Sequence, residues 1–208
     1  MSLAYRTYVL RRIEEALGQT AGVSGAAYFG SIATGQVDRF SDIDLVVRCG
    51  PGAAELVVSA LHARLDVVLY RPFTAVRKPS GRYWFNGANP FLRLDVSFHA
   101  EAVFDELVVH GLGYAQPPFA PIALADTSGG GPPVEPMPAW SEVDFEFAGA
   151  LRGYHESAKA TARGRLPRRP LAEVEAAVRG LQAAGLRSEL WQLYERSVEL
   201  LATRPAER

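Results

Sequence analysis

The sequence predicts an α+β fold: a mixed β-sheet with flanking helices, followed by a C-terminal α-helical bundle. Three observations carry this. Strand-like alternation recurs between helical patterns over residues 1–126, a Gly/Pro-rich stretch interrupts the chain at 127–138, and everything beyond it has helical spacing. The expected organisation is a first domain at 1–126, a linker at 127–139 and a helical domain at 140–208.

Residues 4–18 place Tyr8, Val9, Ile13 and Leu17 at helical spacing and stop near Gly18 and Gly22. A strand is expected near 24–29, a second near 42–48, a helix at 53–63 and a strand at 65–71. Lys78-Pro79-Ser80-Gly81 reads as a hairpin turn that sends Arg77, Lys78 and Arg82 to solvent before the chain returns through Tyr83-Trp84-Phe85. Trp84 and Phe85 are expected to pack beneath the hairpin, with stacking on a ligand ring as the alternative. In 91–99, Leu92, Leu94, Val96 and Phe98 alternate with Arg93, Asp95, Ser97 and His99, as in a strand with one packed and one open face. A short helix at 101–110 and an edge strand at 121–126 complete this part. Helices near 140–163, 171–184 and 186–202 follow, the first two separated by Pro167 and Pro170.

Composition bounds the function classes. A hydrophobic fraction of 48% and a charged fraction of 22% are ordinary for a globular chain. A net charge of −1 offers no basic surface for nucleic acid, so a polymerase-like role is not expected. No run approaches the ~20 apolar residues of a membrane span, and the N-terminal arginines and glutamates do not make a signal peptide. The single cysteine, Cys49, excludes an intramolecular disulfide and suits a reducing cytoplasm. His99 and His110 show no metal-ligand spacing with each other or with Cys49.

The richest segment is Tyr28-Phe29-Gly30-Ser31 through Ser41-Asp42-Ile43-Asp44. Asp42 and Asp44, at i and i+2 on a strand, point to one face, where two like charges are best explained by a shared cation. The alternative, that Ser41-Asp42 merely ends a loop, leaves the same-face Asp95 unexplained. The Gly30-Ser31 turn offers backbone N–H groups to a phosphate. Asp66 is a rival for the third acid, but its neighbours alternate less cleanly.

Gly-Ser, ten intervening residues, Asp-x-Asp and a later strand aspartate resemble the DNA polymerase β-like nucleotidyltransferase superfamily over residues 24–126. Within it the chain looks most like the small-molecule branch that includes the aminoglycoside nucleotidyltransferases. The resemblance implies a nucleotidyltransferase-type sheet and in-line transfer of a nucleoside monophosphate, with AMP expected, from a nucleoside triphosphate to a hydroxyl. It implies Mg²⁺ or Mn²⁺ on Asp42 and Asp44, with Asp95 as a further metal ligand or general base. Gly30, Ser31, Ser41 and Lys159 would contact the nucleotide. Many relatives carry basic residues just after Gly-Ser; here Ile32 and Thr34 stand there. Arg39 or a residue of the helical part, with Lys159 the first candidate, must supply that charge.

The expected partners are the triphosphate and a small hydroxylated acceptor, either an aminoglycoside-like antibiotic or another metabolite, bound by a monomer or homodimer. For a cationic acceptor, Glu135, Glu142, Asp144 and Glu146 would form an acidic pocket. The alternatives are transfer to a protein partner, as in toxin–antitoxin modules, and a non-catalytic nucleotide-binding module. The Arg163, Arg165, Arg168 and Arg169 cluster reads as a solvated inter-helix loop, with attraction of an anionic partner as the alternative.

Overall fold

In the computed structural model, residues 3–73, 79–87, 89–111, 117–124 and 139–203 are described. The elements run α1 (Leu3–Gly18), β1 (Val23–Phe29), α2 (Gly30–Ala33), β2 (Ile43–Cys49), α3 (Ala53–Arg64), β3 (Val67–Pro72), β4 (Gly81–Phe85), β5 (Arg93–His99), α4 (Glu101–His110), β6 (Ala120–Pro121), α5 (Glu142–Ala162), α6 (Leu171–Gln182) and α7 (Ser188–Ala202). The linker expected at 127–138, Arg77 and Lys78 lie outside the described residues.

The strands form a six-stranded mixed sheet in the order β3-β4-β5-β2-β1-β6. The central pair β2 and β5 is parallel, and the remaining pairs are antiparallel. One sheet face packs under α1 and α3: Val9, Ile13 and Leu17 meet Ile43, Leu45, Leu94 and Val96 in one apolar cluster. Helical spacing on α1 and alternation on the strands bring these side chains to one layer.

The other face is covered in two places. Phe104 and Leu107 of α4 pack on Ala27, Phe29 and Val46, while Phe147, Leu151 and Tyr154 of α5 join Leu69, Trp84 and Phe91. The helices α6 and α7 close the second cluster through Val174, Val178, Leu190, Leu193 and Tyr194. Trp84 and Phe85 are therefore core residues on opposite faces. The first turn of α5 is fixed by a capping box, in which Ser141 Oγ accepts from the Asp144 N–H and the Asp144 carboxylate accepts from the Ser141 N–H.

Two expectations are corrected. The polar face of β5 is not open: Arg93, Ser97 and His99 are buried, because the helices cover that face too. Arg82 does not project to solvent but pairs with Asp95, its side chain only 16% exposed. Of the strand expected at 121–126, residues 125–126 lie outside the described residues; among the described ones it is Ala120–Pro121, and the pairing with β1 continues through the Ile122 N–H to Ala26 O. Among the described residues no helix is long and apolar enough to cross a membrane.

Candidate active site

The carboxylates of Asp42, Asp44 and Asp95 converge, each offering an oxygen within 4.8 Å of the others. Sheet register produces this: β2 and β5 run parallel with Asp44 beside Asp95, and Asp42 precedes β2 on the same side. Ser97, two residues after Asp95, is buried, so the acids occupy the accessible end of a face that is otherwise covered.

Basic side chains hold the acids. Arg93, 5% exposed, bridges Asp42 Oδ2 at 2.6 Å and Asp95 Oδ1 at 3.0 Å. Arg82 Nε donates to Asp95 Oδ2 at 2.9 Å. From α5, Lys159 Nζ lies 3.2 Å from Asp42 Oδ2. Asp44 has no ion pair among the described residues. Burial raises the Asp44 carboxyl to about 7, with Asp42 and Asp95 adding to the rise and Arg93 and Lys159 opposing it. Burial pushes Asp42 in the same direction, yet Arg93 and then Lys159 overcome it and bring that carboxyl down to about 2. Burial lowers the Lys159 pKa, with Asp42 pulling the other way.

Three hard oxygen donors, one of them without a counter-cation, form a donor set that fits Mg²⁺ or Mn²⁺. Gly30 sits against them with φ +64°, and a Cβ there would stand 2.5 Å from Asp44 Oδ2. Gly30→Ala is accordingly expected to strain the turn by about 1 kcal/mol and displace Asp44. Thermal scans should then show a melting point a few degrees lower. An unchanged melting point would refute the strain.

Next to Gly30 opens a cavity of about 440 Å³ lined by Ser31, Thr34, Asp38, Ser41, Arg163 and Arg165 among others. Ser31 Oγ is buried there without a hydrogen-bond partner. Ser41 is buried and closes the turn, its Oγ accepting from the Asp38 N–H and donating to Asp38 Oδ1. Arg6 buttresses the same turn by donating to the Asp38 and Ser41 carbonyls at 2.9 and 2.7 Å.

Two basic side chains just beyond the C-terminal end of α5 stand near Gly30-Ser31. Arg163 pairs with Asp38 at 2.7 Å, and Arg165 lines the same cavity with no ion pair among the described residues. Arg39 instead donates to the Thr203 carbonyl. Arg163, Arg165, Arg168 and Arg169 are exposed in the loop between α5 and α6, as expected; Arg163 and Arg165 edge the cavity, and Arg169 pairs on the surface with Glu173.

Of the residues sharing a turn near Lys159, only Lys159 reaches the acids. Glu156 pairs with Arg152, and buried His155 meets Ser197 Oγ. The acidic acceptor pocket does not assemble among the described residues. Asp144 is buried, capping α5 and facing Arg187, while Glu142 and Glu146 are exposed. Glu135 lies outside the described residues. Asp66 is exposed and accepts from Asn86, away from the acids.

The sequence offered Arg93 or Arg48 as a partner for Asp95; Arg93 is that partner, while Arg48 pairs with Glu101 and Asp105. Sequence reasoning assigned no role in the site to Arg6, although it lies in line with Val9 and Ile13 at helical spacing.

Residues 10–75 match the family model of the nucleotidyltransferase domain. No curated protein matches the chain. Asp95, Lys159, Arg163 and Arg165 lie beyond the matched span and join the site through the fold. Because Gly30, Ser31, Asp42 and Asp44 fall within it, the match and the acid cluster together support assignment to the nucleotidyltransferase superfamily.

Proposed function

We propose that the protein is a metal-dependent nucleotidyltransferase that moves a nucleoside monophosphate, AMP in the first instance, from a triphosphate to a hydroxyl of a small molecule. The observation that carries this reading is the acid cluster beside a basic, polar cavity. Asp42, Asp44 and Asp95 would hold Mg²⁺, which when bound neutralises charge on the phosphate oxygens during transfer.

The residues of the chain do the positioning. Gly30 lets the phosphates approach the backbone closely, and Ser31 Oγ, otherwise without a partner, donates to a phosphate oxygen. Arg163 and Arg165 bind the outer phosphates, a task suited to planar guanidinium groups. Lys159, anchored on α5, orients Asp42 and faces the same charge. The acceptor oxygen bonds to the α-phosphorus as the bond to pyrophosphate breaks, and a carboxylate of the cluster or water takes the hydroxyl proton. In this reading residues 1–126 form the catalytic domain and 140–208 a helical domain that completes the donor site. With charge supplied by Arg163 and Arg165, the loop's lack of basic residues no longer favours a non-catalytic module.

The test is thermal stabilisation by each of the four ribonucleoside triphosphates, with and without Mg²⁺. At a hundred times the dissociation constant a bound nucleotide adds about 2.7 kcal/mol. We expect a Mg²⁺-dependent gain that favours one nucleotide and falls sharply in Arg163→Gln/Arg165→Gln. No gain with any nucleotide would refute the donor site.

A further inference from the structure

The acid cluster has two unlike flanks. Register places Phe29, Asp44, Asp95, Arg82 and Arg71 in one row across β1, β2, β5, β4 and β3. On the β1 side the row ends at Gly30 and the cavity beside it. On the β3 side it ends in guanidinium groups.

Arg82 donates to Asp95, and its guanidinium carbon lies 4.8 Å from the centre of the Phe73 ring. Arg71 lies across α5, so close that a Cβ at Gly149 would stand 2.6 Å from Arg71 Nη1. Arg152, three residues further along α5, is near enough to act on Arg82 electrostatically and is itself paired with Glu156.

Two cationic groups in this wall retain charge or donors that could meet an anion. Arg71 is half-buried and has no ion pair among the described residues. Arg93 keeps Nη1 buried without a hydrogen-bond partner, and such an unmet donor carries a desolvation cost.

We infer that the acceptor is a hydroxylated small molecule bearing an oxyanion, a carboxylate or a phosphate, held by Arg71 and Arg82 while its hydroxyl lies over the acids. This rests on the nucleotidyl-transfer reading of the same site. In-line displacement puts the attacking oxygen opposite the departing pyrophosphate. With the outer phosphates in the cavity beside Gly30, the acceptor approaches from the arginine flank. Arg82 and Arg71 stand one and two strands beyond Asp95, so the oxyanion sits about 5–10 Å from the reacting hydroxyl. A polycationic acceptor would instead meet like charge.

A matched hexose series tests this: glucuronate, glucose 6-phosphate, glucose and glucosamine. Binding is followed by saturation-transfer NMR on the full chain with Mg²⁺ and a non-hydrolysable ATP analogue. At least one anionic sugar should bind about tenfold or more tighter than glucose, with glucosamine weakest, as expected for a charge-assisted contact. The order of the two anionic sugars distinguishes carboxylate from phosphate. Arg71→Gln should remove the preference and Arg71→Lys retain part of it, while Arg48→Gln, near the opposite end of β2, changes nothing. Absence of an anion preference, or one unaltered in Arg71→Gln, overturns the inference. Nucleotide stabilisation, read in the same samples, separates the two readings. If it is present while the preference is absent, only the acceptor class fails; if it is absent, the transfer reading fails as well.

Discussion

Asp44→Asn is expected to abolish nucleotidyl transfer and, at the same time, to stabilise the metal-free protein at pH 8. The loss of transfer, about 10³-fold or more, follows from removing the one acid of the cluster that no cation among the described residues pairs with. The gain in stability follows from linkage. The folded-state carboxyl of Asp44 is raised from 3.8 to about 7, first by burial and then by Asp42 and Asp95. Below about pH 4 the group is protonated in both the folded and unfolded states, and the native state incurs no penalty. Between pH 4 and 7 the unfolded state releases its proton first, so stability falls as pH rises. Above 7 the full cost of a buried, repelled carboxylate applies, on the order of 4 kcal/mol. Asparagine is neutral throughout. The variant should melt about 8–16 °C higher than wild type at pH 8 in EDTA, with a much smaller difference near pH 4.5. Equal melting at pH 8 would show that Asp44 is not strained by its neighbours. Retained transfer would remove it from the metal site.

Arg93→Met is expected to have the opposite effect on stability. Arg93 is buried and spans Asp42 and Asp95, so its loss leaves two carboxylates each short of a partner. Lys159 remains on Asp42 and Arg82 on Asp95, which keeps the deficit at the lower end of that for a broken buried pair, about 3 kcal/mol. Urea denaturation at pH 8 in EDTA should show this loss, and millimolar Mg²⁺ should restore part of it by supplying the missing positive charge. Near pH 4.5 the deficit should shrink as carboxylates protonate. A deficit equal at both pH values and unaffected by Mg²⁺ would mean that Arg93 matters through packing alone.

The two variants separate what was legible in the chain. Asp42, Asp44 and Asp95 were visible because strand alternation fixes which side chains share a face, and Gly30-Ser31 because a turn before a strand acid has few other uses. The helices and strands appeared near their predicted positions for the same local reason. Register between strands distant in sequence was not legible, and it is register that sets Arg82 beside Asp95 and Arg71 beside Arg82. A hairpin arginine looks solvated until another strand arrives on its far side.

The sequence by itself determined the mixed α/β character, the acid face of the sheet and the turn that meets it, because these depend on periodicities of two and 3.6 residues and on the backbone freedom of glycine. Only the tertiary structure decided which cations answer those acids. Lys159 on α5 and Arg163 just after it lie more than a hundred residues beyond Asp42 and Asp38, and pairing across that separation is set by how α5 packs on Leu69, Trp84 and Phe91. Local pattern specifies a face. Long-range packing chooses what stands opposite it, and the charge balance of the site is fixed at that second step.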